Sequence, residues 1–253
     1  MDKHKKIIDI KSISHTFADG TIGINKVSLS IKKGEFVIIT GKNGSGKTTF
    51  LKHLNVLLKP DLGQIFISGQ NALKNPIQTR KTIGMVFQDA DTQIVGDTVF
   101  DEVSFGPENL KLSRNEITKK VTKILKSLDL FHLKDKSPFS LSGGQKRKLA
   151  LAGILVMDPK VIVFDEPFSN LDYPSAKLIL STIIDLHTKN HTIIIAAHNV
   201  EPLIYYATRI IVFENASIKE DKKPKDIVNN LESYGIREPC SSKLGLGIMP
   251  WHE

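Results

Sequence analysis

Gly41-Lys42-Asn43-Gly44-Ser45-Gly46-Lys47-Thr48 follows an apolar run, Phe36-Val37-Ile38-Ile39, and precedes a helix-compatible stretch at 49–58. Strand, glycine-rich turn and helix are the setting of a phosphate-binding loop, and every fixed position of the eight-residue pattern is present. Glycines let the backbone turn successive N–H groups inward, making a nest for oxygen anions. The helix that follows adds unpaired N–H groups and the positive end of its dipole. Lys47 is expected to reach the β- and γ-phosphates of a nucleotide, and the Thr48 hydroxyl to ligate Mg²⁺.

Composition narrows the class without choosing a partner. The chain has 253 residues, 40% hydrophobic and 25% charged. Those proportions suit a globular domain with a full core. No apolar run approaches the roughly 18 residues that a membrane span needs. The longest, at 192–197, is strand-sized. Met1-Asp2-Lys3-His4-Lys5-Lys6 carries charge with no apolar segment behind it, so no signal peptide is expected. The single cysteine, Cys240, excludes an internal disulfide and fits a reducing compartment. The formal charge of +8 is compatible with nucleic acid or an anionic membrane surface, but the lysines are scattered, as on a solvated face.

Along the chain, 7–14 alternates loosely and 24–31 alternates cleanly (Ile24, Val27, Leu29, Ile31), which predicts two antiparallel strands ahead of the loop. Short strands are expected at 64–68 and 83–87, followed by a polar loop, Asp89-Ala90-Asp91-Thr92-Gln93. Val99, Phe100, Val103 and Phe105 have helical spacing, and Gly106-Pro107 reads as a stop. Ser113-Arg114-Asn115-Glu116 has the form of a capping box, opening a helix with Ile117, Val121, Ile124, Leu125 and Leu128 on one face. Continuous apolar runs at 161–164 and 192–197 predict parallel strands buried on both faces. Helices are expected after Gln145 through Met157, from Pro174 to about 188, and over 200–206, with a strand at 209–214 and a further short helix at 225–231. The expected fold is α/β: a P-loop NTPase core with a mixed, mainly parallel sheet, an N-terminal antiparallel β layer and a helical insert at about 89–140. Residues 1–222 form the ATPase domain in this reading, and 223–253 a C-terminal tail or small appendage.

Two further stretches carry chemistry. Val161-Ile162-Val163-Phe164 ends in Asp165-Glu166, which places two carboxylates at the carboxyl edge of the sheet, where ligands bind. Asp165 is expected to hold Mg²⁺ and Glu166 to act as general base on an attacking water. Leu141-Ser142-Gly143-Gly144-Gln145 is another glycine turn at a helix N-terminus, hence a second anion site.

With that motif the sequence resembles the ABC-type ATPases, whose signature is Leu-Ser-Gly-Gly-Gln; the resemblance covers about residues 6–215. It implies a head-to-tail dimer in which Leu141, Ser142, Gly143, Gly144 and Gln145 of one subunit cap the ATP held by the other. It also implies roles for Gln88 (contact with Mg²⁺ or water), Asp172 (the loop crossing the dimer interface), His198 (contact with the γ-phosphate) and Phe17 (stacking on adenine, where the family prefers tyrosine). The implied ATP-binding set is Phe17, Gly41, Asn43, Gly44, Ser45, Gly46, Lys47, Thr48 and Thr49. The catalytic set is Glu166, His198 and Gln88, and the metal set is Thr48, Gln88 and Asp165. Lys146-Arg147-Lys148 departs from the commoner Gln-Arg-Val form but keeps Arg147.

Met85-Val86-Phe87-Gln88 with Asp91 and Gln93, and then Phe105-Gly106-Pro107-Glu108-Asn109-Leu110, look like the energy-coupling factor ATPases of metal and vitamin uptake. Asp89, Ala90 and Thr92 depart from that pattern. The resemblance implies an ATP- and Mg²⁺-dependent subunit, peripheral on the cytoplasmic face of the cell membrane. Its partners would be a second ATPase subunit, identical or paralogous, an integral membrane coupling subunit and a substrate-binding membrane component. No nucleic-acid partner is expected. The competing reading is a soluble ABC ATPase acting on nucleic acid or ribosomes. Such proteins usually carry two cassettes or a long coiled coil, and this chain shows one cassette and no sustained heptads.

Overall fold

The computed structural model describes residues 5–89 and 93–251; the middle of the polar loop, 90–92, lies outside the described residues, as do 1–4 and 252–253. The chain opens with β1 (Lys6–Thr16) and β2 (Ile22–Lys32), paired antiparallel. The loose alternation of β1 has a physical cause. Ser12 takes φ 47° and the ladder shifts register between Ile10 and Ile13, so both isoleucines stay buried although three positions apart. That is the signature of a β-bulge.

β3 (Phe36–Thr40) leads through the glycine loop into α1 (Lys47–Leu54). This helix is shorter than the 49–58 stretch suggested. Val56 adopts φ 59°, and the N–H groups of Leu57 and Leu58 both return to the Lys52 carbonyl, wrapping the C-terminus. β4 (Leu62–Ile67), β5 (Gln70–Asn71), α2 (Pro76–Thr82) and β6 (Ile83–Val86) follow. The short α2, capped by Asn75, is absent from the sequence reading.

A helical layer comes next: α3 (Val99–Asn109), α4 (Arg114–Ser127) and α5 (Gly143–Leu155). Both bonds of the Ser113–Glu116 capping box are formed. Gly106-Pro107 does not stop α3, which runs to Asn109. A Cβ on Gly106 would lie 2.7 Å from the Met157 sulfur, so this glycine permits close packing rather than a turn. The helices enclose their own apolar core, which includes Val103, Val121, Leu125 and Leu149.

The chain then returns through β7 (Val161–Asp165), α6 (Tyr173–Thr188), β8 (Thr192–Ala196), β9 (Arg209–Glu214), β10 (Ser217–Lys222), α7 (Pro224–Ile227) and α8 (Cys240–Lys243). Residues 200–206, expected to be helical, make successive turns on Val200 and Leu203 carbonyls instead. The stretch expected as one helix at 225–231 divides between α7 and a 3-10 turn over Val228–Tyr234.

Among the described residues the strands form two sheets, ordered β2-β1-β4-β5 and β10-β9-β3-β8-β7-β6. The first is antiparallel throughout. In the second, β9, β3, β8, β7 and β6 run parallel and only β10 opposes its neighbour. Strand periodicity divides the second sheet's side chains between two cores. Val37, Ile39, Val163 and Ile194 face α1 and the antiparallel layer. Phe36, Ile38, Phe164 and Ile195 face α6 and the C-terminal segment, whose Ile227, Leu231 and Ile236 pack into the same core. Phe50 of α1 meets Phe213 of β9 with ring centroids 5.1 Å apart, both fully buried. Aromatics of this size bury ~150–250 Å² each, which pins α1 to the sheet.

His53, at the far end of α1, is completely buried. Its Nδ1 lies 2.7 Å from the Thr49 carbonyl oxygen. Burial is the main cause that holds its imidazole below the ordinary 6.5; neighbouring His15 adds to the effect, while the Thr49 bond and Asp61 oppose it. Below pH 6.5 the unfolded chain therefore binds a proton at this site that the native chain resists, and stability falls as pH falls. Denaturant titrations between pH 7 and 5 are expected to show wild-type stability dropping more steeply than that of His53→Leu. Parallel pH profiles would contradict this assignment.

Candidate functional site

The parallel strands β3, β8, β7 and β6 all end at the same edge, and each delivers a sequence-predicted residue there. β3 ends at Thr40 and enters the loop. A Cβ on Gly41 would run into the Phe213 carbonyl, and Gly41 has φ 143°. Gly46, at φ 102°, lies so close to the antiparallel layer that a Cβ would come 2.7 Å from the Gly23 oxygen. At Gly41 and Gly46, therefore, only glycine fits. Gly46 is also the N-cap of α1 and supplies no side-chain cap, and the first turn holds no acidic residue. The leading N–H groups of α1 thus lack the usual side-chain acceptors, an arrangement suited to an anion. Ser45 adds a buried hydroxyl with no hydrogen-bond partner among the described residues. Asn43 and Gly44 lie exposed on the loop, and Thr49 sits in the first turn of α1.

Lys47 is buried and donates to the Gly41 and Lys42 carbonyls at 2.8 and 3.0 Å. An ammonium has three donors, so one N–H remains for a further acceptor. Burial lowers the Lys47 pKa, and the nearby Glu166 and Asp165 carboxylates oppose that shift.

β7 presents the acids. Asp165 is buried and accepts from Thr48 Oγ1 at 3.2 Å. Burial pushes its carboxyl upward, countered by the Thr48 bond and by Lys52 and Lys47. Glu166 occupies the left-handed region at φ 49°, a conformation that costs a non-glycine residue about 1–3 kcal/mol and gathers at functional sites. The turn aims its side chain at the end of β8. His198 N donates to Glu166 Oε2 at 3.4 Å, and His198 Nε2 lies 3.6 Å from Oε1. Glu166 Oε1 is buried without a hydrogen-bond partner among the described residues. Burial raises the Glu166 pKa first, with a smaller push from Asp165, against the His198 bond and Lys47. Burial, then Lys47, lowers that of His198. Adjacent carboxylates and a hydroxyl form a hard-oxygen set suited to a divalent cation. Gln88, exposed just beyond β6, stands on the neighbouring strand of the same edge.

The signature residues lie apart from this edge. Ser142 caps α5 by accepting from Gln145 N, and Gln145 Oε1 accepts from Ser142 N at 2.9 Å. Leu141 is buried as an anchor, while Ser142 and Gly143 face solvent. Asp172 is the N-cap of α6, accepting from Ser175 N at 3.0 Å, and a Cβ on Gly144 would meet the Ser175 hydroxyl at 3.3 Å. Arg147, one turn into α5, donates to the Pro167 and Ser169 carbonyls just after Glu166. This clamp joins the signature helix to the acidic turn.

Phe17 stands 38% exposed at the end of β1. It is backed by two residues that the sequence reading passed over. The His15 and Phe17 centroids are 4.9 Å apart, edge to face, and those of His15 and His53 are 5.0 Å apart. Their sequence signal is faint: two isolated histidines, of which only His53 lies on a helix of the site.

Comparison with known proteins accords with this geometry. The model of the ABC transporter family matches residues 24–169. The energy-coupling factor transporter ATP-binding protein EcfA of Methanosarcina acetivorans is 41% identical over 257 residues, covering 98% of this chain and 93% of that one. The EcfA of Methanocaldococcus jannaschii is 39% identical over 230 residues, covering 90% and 82%. Among solved structures, cbiO1 of Clostridium perfringens, part of the ABC transporter complex cbiONQ, superposes with a TM-score of 0.81 at 35% identity, covering 91% of this chain and 93% of that one. The chain belongs to the ABC transporter family, among the ATP-binding proteins of energy-coupling factor transporters.

Proposed function

We propose that this chain is the ATP-binding and hydrolysing subunit of an energy-coupling factor importer for a metal ion or vitamin, peripheral on the cytoplasmic face of the membrane. The observation that carries the reading is the convergence of the glycine loop, Asp165, Glu166, Gln88 and His198 on one sheet edge. The exposed signature turn on α5 complements it. Among the described residues no helix is long and apolar enough to cross a membrane, which is compatible with a peripheral subunit.

The loop N–H groups, the α1 N-terminus and the free donor of Lys47 hold the β- and γ-phosphates. Phe17 stacks on the adenine. Thr48 and Asp165, with Gln88 at the mouth, are the residues that would hold Mg²⁺, whose charge would offset that of the phosphate oxygens. Glu166 takes a proton from the attacking water as its oxygen bonds to the γ-phosphorus and the bond to the β–γ bridging oxygen breaks. The acceptor atom is available, since Oε1 has no hydrogen bond among the described residues. His198 steadies the same carboxylate and contacts the γ-phosphate. The signature of a second subunit, identical or paralogous, completes each site, with Asp172 at the interface, so ATP closes the pair and hydrolysis reopens it. The helical layer after Gln88 carries that motion to an integral membrane partner, itself joined to a substrate-binding membrane component.

Three measurements test this reading. Lys47→Ala is expected to weaken ATP binding about 10- to 100-fold, since charged hydrogen bonds are each worth ~1.5–3 kcal/mol; unchanged affinity by calorimetry refutes the loop assignment. Glu166→Gln is expected to bind ATP normally, lose about 10²–10⁴-fold in kcat and accumulate as an ATP-bound dimer on size exclusion. Near-normal turnover removes Glu166 from the base role. Affinity purification from detergent-solubilised membranes is expected to recover an integral membrane protein with the ATPase pair, whereas recovery of ribosomes or DNA alone favours the competing reading.

A further inference from the structure

Behind Phe17 lies a column of rings that the proposed mechanism does not use. His53 rises from α1, His15 from the end of β1, and Phe17 follows two residues on. The rings meet edge to face, at interplanar angles of 71° between the histidines and 89° between His15 and Phe17. The hydrogen bonds fix both histidine tautomers. His53 Nδ1 faces the Thr49 carbonyl oxygen at 2.7 Å, and His15 Nδ1 faces the Lys59 carbonyl oxygen at 3.1 Å. A carbonyl only accepts, so each ring donates from Nδ1. Each Nε2 is buried with no hydrogen-bond partner among the described residues.

The column is braced at both ends. Asp61 accepts from Thr16 N at 2.7 Å and donates its own N–H to the Ser14 carbonyl at 2.8 Å, fixing the backbone on either side of His15. At the other end His53 is tied to Thr49, in the first turn of the phosphate-binding helix. Gly23 closes the circuit: a Cβ there would lie 2.8 Å from Phe17 Cε2 and 3.0 Å from Thr49 Cγ2. Bare backbone at Gly23 thus brings the Phe17 ring and Thr49 together.

We propose that His15 and His53 are positioning residues for the nucleotide base: they set the Phe17 ring plane at a fixed offset from α1, so that base and phosphates are gripped in register. The inference rests on the ATP-binding reading above. The hydrogen bonds of both histidines go to the Thr49 and Lys59 carbonyls rather than into the 41–48 loop, so their effect is expected on the base rather than on the phosphates.

The test compares Mg-ATP with inorganic tripolyphosphate, which has the phosphates but no base. Calorimetry is performed on wild type, His15→Ala, His53→Leu, Phe17→Ala and the His15→Ala/Phe17→Ala pair, with thermal melts to verify folding. His15→Ala is expected to weaken ATP about three- to tenfold, the range of an aromatic edge contact, and to leave tripolyphosphate within about twofold. His53→Leu is expected to show the same selectivity. In the Phe17→Ala background, removing His15 is expected to add less than about twofold, because its effect passes through that ring. Equal losses for both ligands, an unchanged ATP affinity, or a full additional loss without Phe17 would each overturn the proposal. Wild type that binds tripolyphosphate but not ATP more tightly sinks the base site alone; wild type that binds neither sinks the nucleotide reading beneath it.

Discussion

Lys47, Asp165 and Glu166 are withdrawn from water at one edge of a parallel sheet, and none is fully satisfied by the others. Burying charge is costly unless it is paired and hydrogen-bonded. Here burial drives each group toward its neutral form, opposed by the attraction between ammonium and acids, by Lys52 and by the hydrogen bonds from Thr48 and His198. Such an arrangement persists because the surrounding structure holds it. The two apolar cores on opposite faces of the second sheet supply that rigidity.

Period-two strand geometry makes this scaffold possible. The mid-strand residues of β3, β7 and β8 are apolar, whichever face they serve, and the buried polar residues Thr40, Asp165 and Thr192 stand at strand ends, so the strands stay at the centre and their ends align. The antiparallel layer then closes over α1 from the other side. Its hold on the loop is partly backbone: Ala216 N donates to the Ser45 carbonyl at 3.1 Å, and the Ala216 carbonyl accepts from Asn25 N at 2.8 Å. The hairpin between β9 and β10 thereby stitches the glycine loop to β2.

Much of this was legible in the residues. Continuous apolar runs at 161–164 and 192–197 announced strands buried on both faces, and the Ser113–Glu116 box announced the start of α4. These signals are local: they depend on a few neighbouring side chains and on backbone sterics. What was not legible depends on distant partners. Gly106-Pro107 looks like a stop until Met157 is seen against it. The stretch at 200–206 places Val200, Leu203 and Ile204 in the second core at helix-like spacing yet folds as successive turns. His15 and His53 are 38 positions apart and become neighbours only when α1 docks beneath the end of β1. No periodicity in the sequence encodes that meeting.

The Arg147 clamp has a consequence for how two subunits would share their work. One guanidinium grips two carbonyls directly downstream of Glu166 while its own helix bears the exposed signature turn. In the proposed mechanism, the surface that a subunit offers to its partner and its own general base are thus joined through one side chain. In the proposed head-to-tail pair, any shift that one nucleotide imposes on the opposing signature reaches the other subunit's acidic turn directly. Two sites joined in this way would turn over in correlation, so that the proposed pair would behave as one engine with two chambers.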